Sequence, residues 1–176
     1  MTSIFTFFSK VFVFVLLFNV AFVAKINAQQ APVYPRVMGY FSVVNPIGSW
    51  NKDGFTSNFN GNVYSIGFPF GINLLKSDKF GVSFEIAPTI RTENHIAKVN
   101  SVLFHPGAMF RFKHGFTFVG RAAFETNGRF GFTPVFNQVI RKGKDANLFI
   151  SVPVPVRFGN SVPTSVSTGL QVGVSF

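Results

Sequence analysis

Between residues 80 and 91 the chain alternates without a break. Phe80, Val82, Phe84, Ile86, Pro88 and Ile90 share one face, while Gly81, Ser83, Glu85, Ala87, Thr89 and Arg91 share the other. Successive side chains of a β-strand point to opposite sides, so this run reads as a strand with one greasy face and one polar or small face. The last run repeats the pattern, with Val166, Thr168, Leu170, Val172, Val174 and Phe176 set against serines, glycines and Gln171. Another places Tyr64, Ile66, Phe68, Phe70, Ile72 and Leu74 together. Five further runs are readable, at Tyr34 to Val44, Ser101 to Phe112, Phe116 to Glu125, Arg129 to Ile140 and Leu148 to Arg157, which makes eight.

Composition decides what the greasy face meets. Charged residues make up 12% of the 176 positions, hydrophobic residues 47%, and phenylalanine alone supplies 26. A soluble domain carries about a quarter charged residues, so this chain has too little charge to cover a surface facing water. A soluble β-sandwich or lipocalin-like barrel would also alternate, with its apolar face inward. Here the face opposite the phenylalanines is dominated by Gly, Ser, Thr and Ala, which suits a narrow interior. The expectation is an all-β, transmembrane, antiparallel up-and-down β-barrel of eight strands, apolar outside and polar inside. After Ala28 no stretch of about 20 apolar residues remains that could span a bilayer as a helix.

The N-terminus reads as an export signal. Met1 to Lys10 carries one positive charge, Val11 to Ala24 is apolar apart from Asn19, and Lys25-Ile26-Asn27-Ala28 precedes Gln29-Gln30. A basic start, an apolar core and a small residue before a polar segment describe a cleavable secretory signal, and Lys10 argues against a retained membrane helix. The domain expectation is residues 1–28 as signal and 29–176 as barrel. Cleavage removes Lys10 and Lys25 and no acid, leaving 14 basic and 6 acidic residues, net +8. The basic residues are scattered singly, and only Arg141-Lys142-Gly143-Lys144 is dense. That is a solvated turn, not a nucleic-acid patch, which needs clustering on one face. With no cysteine, disulfides and thiolate metal sites are excluded. No cofactor and no metal are expected.

Polar breaks separate the runs. Lys76-Ser77-Asp78-Lys79, Lys113-His114-Gly115 and Arg141 to Ala146 are read as short turns. Longer connections are expected at Asn45 to Asn60 and Thr92 to Asn100, with smaller ones at Thr126 to Arg129 and Gly159 to Thr164. Asn127-Gly128 is the strongest two-residue hairpin signal. Pro69, Pro88, Pro106, Pro134, Pro153 and Pro155 fall inside the runs. Proline cannot donate to a ladder, so each is expected to mark a bulge, a strand end or a misplaced boundary.

The terminal run, ending in Phe176 with Val174, Val172 and Leu170 on its face, resembles the last strand of Gram-negative outer-membrane barrels. With the signal and eight runs, the chain from Tyr34 onward is similar in pattern to the small OmpA/OmpX-type barrels. That resemblance implies the outer membrane, both termini in the periplasm, and short turns on that side. It implies two partners, the surrounding outer-membrane lipids and the barrel assembly machinery, which would read Phe176, Val174, Val172 and Leu170 as an assembly signal. Other outer-membrane proteins are further candidate partners.

An eight-stranded barrel has an interior just wide enough for side chains to fill, so a diffusion pore is not expected. Small outer-membrane barrels also include lipid-modifying enzymes, which need a nucleophile, base and orienting acid at one rim. His95 beside Glu93 and Asn94 is the one place resembling such a site, and a polar loop tip explains it as well. No Gly-x-Ser-x-Gly or His-Glu-x-x-His motif occurs. The functional expectation is therefore a non-enzymatic barrel with a structural or interaction role, alone or as a subunit of a larger outer-membrane assembly. The alternative is a lipid-modifying enzyme at the extracellular rim. Inside the lumen, Glu85 and Arg121 sit mid-strand on inward faces. Gly107 between them leaves room for contact, and a buried charge is costly unless paired. A lumen ion pair is expected, widened by His105, Arg111 or Glu125. Placing the turn near residue 96 sets Glu85 roughly opposite Pro106, with His105 and Gly107 as its inward neighbours.

Overall fold

The computed structural model describes residues 33–59, 63–159 and 163–176. The proposed signal at residues 1–28 lies outside the described residues. From Tyr34 to Phe176 the chain forms one compact unit. Its strand segments, among the described residues, are β1 (Arg36–Asn51), β2 (Gly54–Ser57), β3 (Val63–Gly67), β4 (Phe70–Leu75), β5 (Phe80–Glu93) and β6 (Ile96–Arg111). They continue with β7 (Phe116–Glu125), β8 (Phe130–Lys142), β9 (Asn147–Pro153), β10 (Val156–Phe158) and β11 (Ser165–Ser175).

Every pairing is antiparallel, and β11 pairs back onto β1 from Tyr40↔Ser175 to Trp50↔Val166, which closes the sheet into a barrel. The segments resolve into eight staves. β3 and β4 both pair with β1 and β5, so they are one stave broken at Phe68-Pro69. β9 and β10 both pair with β8 and β11, so they are one stave broken at Val154-Pro155. β2 is a short return paired only with the end of β1. Apart from the free side of β2 at the end of β1, the eight staves close without a sheet edge, the condition for strands to cross hydrocarbon.

The wall is inverted relative to a water-soluble protein. Phe84, Phe110, Phe132, Val152 and Leu170 are 44–49% exposed, while Ser83, Glu85, His105, Arg121, Thr133 and Ser151 are buried. Aromatic pairs gather in two belts. Phe80–Phe110, Phe112–Phe116 and Phe118–Phe136, each with centroids 5.6 Å apart, lie near the end where β1 starts and β11 finishes, here the terminal mouth. Trp50–Phe55 at 4.8 Å and Phe130–Phe158 at 5.9 Å lie near the opposite end, the loop mouth. Apolar walls between aromatic girdles match the bilayer's apolar core and its two interfaces. The fold is a transmembrane β-barrel. Its apolar packing inside is small, with Leu75, Met109, Val119 and Val135 clustered toward the terminal mouth.

Several boundaries differ from the sequence expectation. The expected loop at Asn45 to Asn60 is mostly strand. β1 runs past Pro46 with a bulge at Ile47, then turns at Asn51-Lys52-Asp53-Gly54 into β2. Gly54 takes φ 113° there, and Asp53 N donates to Asn51 Oδ1 at 2.8 Å. Asp-Gly is itself a hairpin signal, so the information was present. The expected loop at Thr92 to Asn100 shrinks to a two-residue turn, Asn94 and His95, with φ 49° and 65°. Asparagine and histidine are among the residues that enter this left-handed region most readily. β8 likewise continues through Arg141 and Lys142, with a bulge at Ile140.

The prolines divide. Pro69 and Pro155 sit in the stave breaks, Pro153 ends β9, and Pro46 adjoins a bulge. Pro88, Pro106 and Pro134, in contrast, lie in unbroken β5–β6 or β7–β8 register, so they mark neither bulge nor end. Neighbouring breaks accommodate two of them, since Phe68 N donates to Pro88 O at 3.0 Å and Val154 N to Pro134 O at 2.9 Å. The β5–β6 bulge falls instead at Asn100. Glu85 consequently pairs with His105, not with Pro106, which pairs with Phe84.

Candidate functional site

The inward face of β5 carries Ser83 and Glu85 to the middle of the lumen. Arg121 reaches them from β7, its Nη1 donating to Glu85 Oε2 at 2.9 Å and its Nη2 to Ser83 Oγ and the Tyr40 hydroxyl at 3.0 Å each. Tyr40 OH donates to Glu85 Oε2 at 2.8 Å. His105 Nδ1 lies 2.8 Å from Glu85 Oε1, and its Nε2 lies 2.9 Å from Thr133 Oγ1. Glu85 is 3% exposed and Arg121 7%. The carboxylate is held by three side-chain donors, the arrangement that makes a buried charge tolerable.

Two glycines make the reach possible. Gly71 lies between Tyr40 and Glu85 in the register. A Cβ there would stand 2.2 Å from Phe84 O and 2.7 Å from the Tyr40 hydroxyl. Gly107 lies between Ser83 and Arg121, and its Cβ would meet Gly120 O at 2.5 Å and Arg121 Cγ at 2.6 Å. Each glycine clears a lane in which a long side chain lies flat across a strand.

Glu125 is placed differently from the expectation. It sits four residues along β7 from Arg121, about 13 Å toward the loop mouth, and pairs with Arg157 Nε at 2.8 Å. The two centres are nevertheless joined. Arg157 Nη1 donates to Thr133 Oγ1 at 3.0 Å, and that hydroxyl is the one facing His105. Both His105 nitrogens are satisfied when Thr133 donates to Nε2 and protonated Nδ1 donates to Glu85, while Arg121 Nε is buried without a partner among the described residues. Arg111 does not join this network. It faces inward six residues from His105, about 20 Å along the strand, and lines the space behind the terminal mouth.

The chain of polar side chains divides the lumen. A cavity of about 290 Å³ lies on the terminal side, lined by Tyr40, Arg111 and Lys142 among others. One of about 480 Å³ lies on the loop side, lined by Glu85, His105 and Arg157. Arg121, Val135 and Gln171 border both. Gln171 Nε2 donates to Ser42 Oγ at 2.8 Å, a second bridge across the barrel seam. The septum therefore comprises residues from β1, β5, β6, β7, β8 and β11.

Sequence reasoning missed Tyr40, Thr133 and Arg157. Tyr40 and Thr133 had a legible signal, since both lie on the polar face of their runs. Arg157 had the same signal, since the register with β8 carries unchanged across the Pro155 break and keeps Arg157 on the inward face with Phe149 and Ser151. Leu170, Val172, Val174 and Phe176 point outward and are 39–62% exposed. Phe176 pairs its backbone with Gly39 through bonds of 2.9 and 3.0 Å, and its ring covers that glycine at the seam. His95 occupies the exposed tip of the β5–β6 turn, and neighbouring Glu93 lies 3.4 Å from Arg91. His114 sits in the turn between β6 and β7 with φ 60°. No group of three potential metal-binding side chains occurs among the described residues.

No family model and no curated protein matches the chain. Two solved structures resemble it at low sequence identity. One, from work on the de novo design of transmembrane β-barrels, is 11% identical with a TM-score of 0.46, covering 82% of this chain and 97% of its own. The other, the solution NMR structure of the de novo designed TMB2.3, is 16% identical with a TM-score of 0.44, covering 84% and 96%.

Proposed function

We propose that this chain is an integral outer-membrane β-barrel with a structural or interaction role, free or as a subunit of a larger outer-membrane assembly, and that it is neither a diffusion pore nor an enzyme. The observation that carries this reading is the Tyr40–Glu85–His105–Arg121–Thr133 septum across the lumen. Opening it would strip the Glu85 carboxylate of three donors, at a cost of several kcal/mol. The barrel then works through its outer wall and its two rims.

The signal at residues 1–28 and the terminal run ending at Phe176 support export to the outer membrane with both termini periplasmic. Lipids cover the wall, and the assembly machinery reads Phe176, Val174, Val172 and Leu170. The exposed Lys76, Lys79, Lys113, Arg141, Lys142 and Lys144 all lie at the terminal mouth, where they suit anionic headgroups.

The test is conductance of the purified barrel in planar bilayers. The parent should be silent, whereas a barrel lacking both Glu85 and Arg121 side chains should pass current. Ion flow through the parent would sink the reading. Recovery of a stoichiometric partner on detergent extraction would separate a subunit from a free barrel.

A further inference from the structure

The six acidic residues of the chain all lie among the described residues, so its lumen charges can be balanced completely. Around the loop-side cavity Arg121 is matched by Glu85, Arg157 by Glu125 and Arg91 by Glu93. Arg129 also lines this cavity, and no carboxylate remains for it. Asp53 is exposed and paired with Lys52 on the β1–β2 hairpin. Asp78 accepts from Tyr34, and Asp145 lies in the β8–β9 turn, both at the opposite mouth.

Arg129 is held in place nonetheless. It comes directly after the Asn127-Gly128 turn, its N donates to Asn127 Oδ1 at 3.1 Å, and its Nη2 donates to Ser165 Oγ at 2.7 Å. Its Nε is buried without a hydrogen-bond partner among the described residues. The guanidinium is thus pre-positioned and under-satisfied, as an anion receptor is. The cavity volume of about 480 Å³ falls within the range of small-molecule sites. Its wall is rich in hydroxyls and amides, including Thr56, Asn58, Ser65, Ser101 and Ser167, and Phe, Tyr and Trp are absent from it among the described residues. Val44, Val63 and Leu103 share this wall, so it offers hydrogen-bonding groups to a polar ligand beside aliphatic patches.

The geometry points to a binding site in the loop-side cavity for a small polyhydroxylated anion carrying one phosphate or carboxylate group, with Arg129 supplying the matching charge and Ser165 fixing its orientation. Such a site does not need the septum to be closed. A conducting barrel with Arg129-dependent binding would overturn the plugged-lumen reading and leave the anion site standing.

The experiment is calorimetric titration of the folded full-length barrel, in a non-ionic detergent at low salt, with glucose 6-phosphate, inorganic phosphate, glucose and dihexanoylphosphatidylglycerol. Glucose 6-phosphate should bind saturably and more tightly than inorganic phosphate, and glucose should not bind. Arg129→Gln should weaken binding about tenfold or more, the loss of charge-assisted hydrogen bonds. Arg129→Lys, which keeps the charge, should retain part of it and serves if the glutamine variant fails to fold. Lys142→Gln, at the terminal mouth, should bind like the parent. Arg129-dependent binding of the short-chain lipid would identify a headgroup as the source of the anion, and its absence a free solute. No saturable binding to the parent, equal binding of glucose, binding that survives Arg129→Gln, or equal loss in Lys142→Gln would each overturn the proposal.

Discussion

Replacing Arg121 with methionine keeps much of its length and removes its charge, and the geometry of the septum sets the cost. The substitution deletes three hydrogen bonds, to Glu85, Ser83 and Tyr40. It leaves the Glu85 carboxylate 3% exposed and facing only Tyr40 and His105. Stranding one member of a buried ion pair costs about 3–5 kcal/mol. Glu85→Gln should cost a similar amount, because it strands the guanidinium instead. The double variant should be milder than the two losses added together. Its amide still bonds with Tyr40 and His105, and no uncompensated charge remains. A favourable coupling of about 2–3 kcal/mol between the positions is expected. Urea titration of the refolded barrel in micelles reads these differences through the single tryptophan, Trp50, which packs on Phe55 at 4.8 Å. A single variant within about 1 kcal/mol of the parent, well below the stranding cost, would refute the reasoning. So would a double variant whose loss equals the sum of its parts.

The same geometry carries further expectations. Gly71→Val should destabilise the barrel by about 2 kcal/mol or more through overpacking, visible as a lower urea midpoint, because a Cβ there meets Phe84 O and displaces Tyr40; an unchanged midpoint would show that the lane is not needed. Phe176→Ser should reduce the amount of assembled barrel in the outer membrane severalfold while costing about 1–3 kcal/mol in refolding measurements, the transfer value of one large apolar side chain; unchanged membrane levels would count against an assembly role. Intact-mass analysis of the extracted protein should give a chain beginning at Gln29, and a mass that includes Met1 to Ala28 would exclude cleavage there. The folded barrel should resist carbonate extraction and migrate differently in detergent gels before and after boiling, whereas a soluble monomer without detergent would contradict the membrane assignment.

The sequence by itself determined the fold class, which face of each run meets lipid, and that Glu85 and Arg121 point into the lumen. All three arise from the period of two, a local property of extended backbone that needs no knowledge of neighbours. The Phe116 to Glu125 strand agrees residue for residue with its alternating run for the same reason. Register was beyond reach, because it depends on where an extra residue is absorbed. The structure absorbs one at Ile47, Asn100 and Ile140 and none at Pro88 or Pro106, so His105, not Pro106, faces Glu85. The choice of charge partners also belongs to the closed barrel. Glu125 pairs with Arg157, 32 residues away, across β8, which leaves Arg129 without a carboxylate, while Arg111 at the end of β6 lies at the far mouth. Sequence lists the charges on the inner face, but which ones meet is settled by strand stagger and closure, since an ion pair requires side chains from different staves to arrive at one height in the lumen.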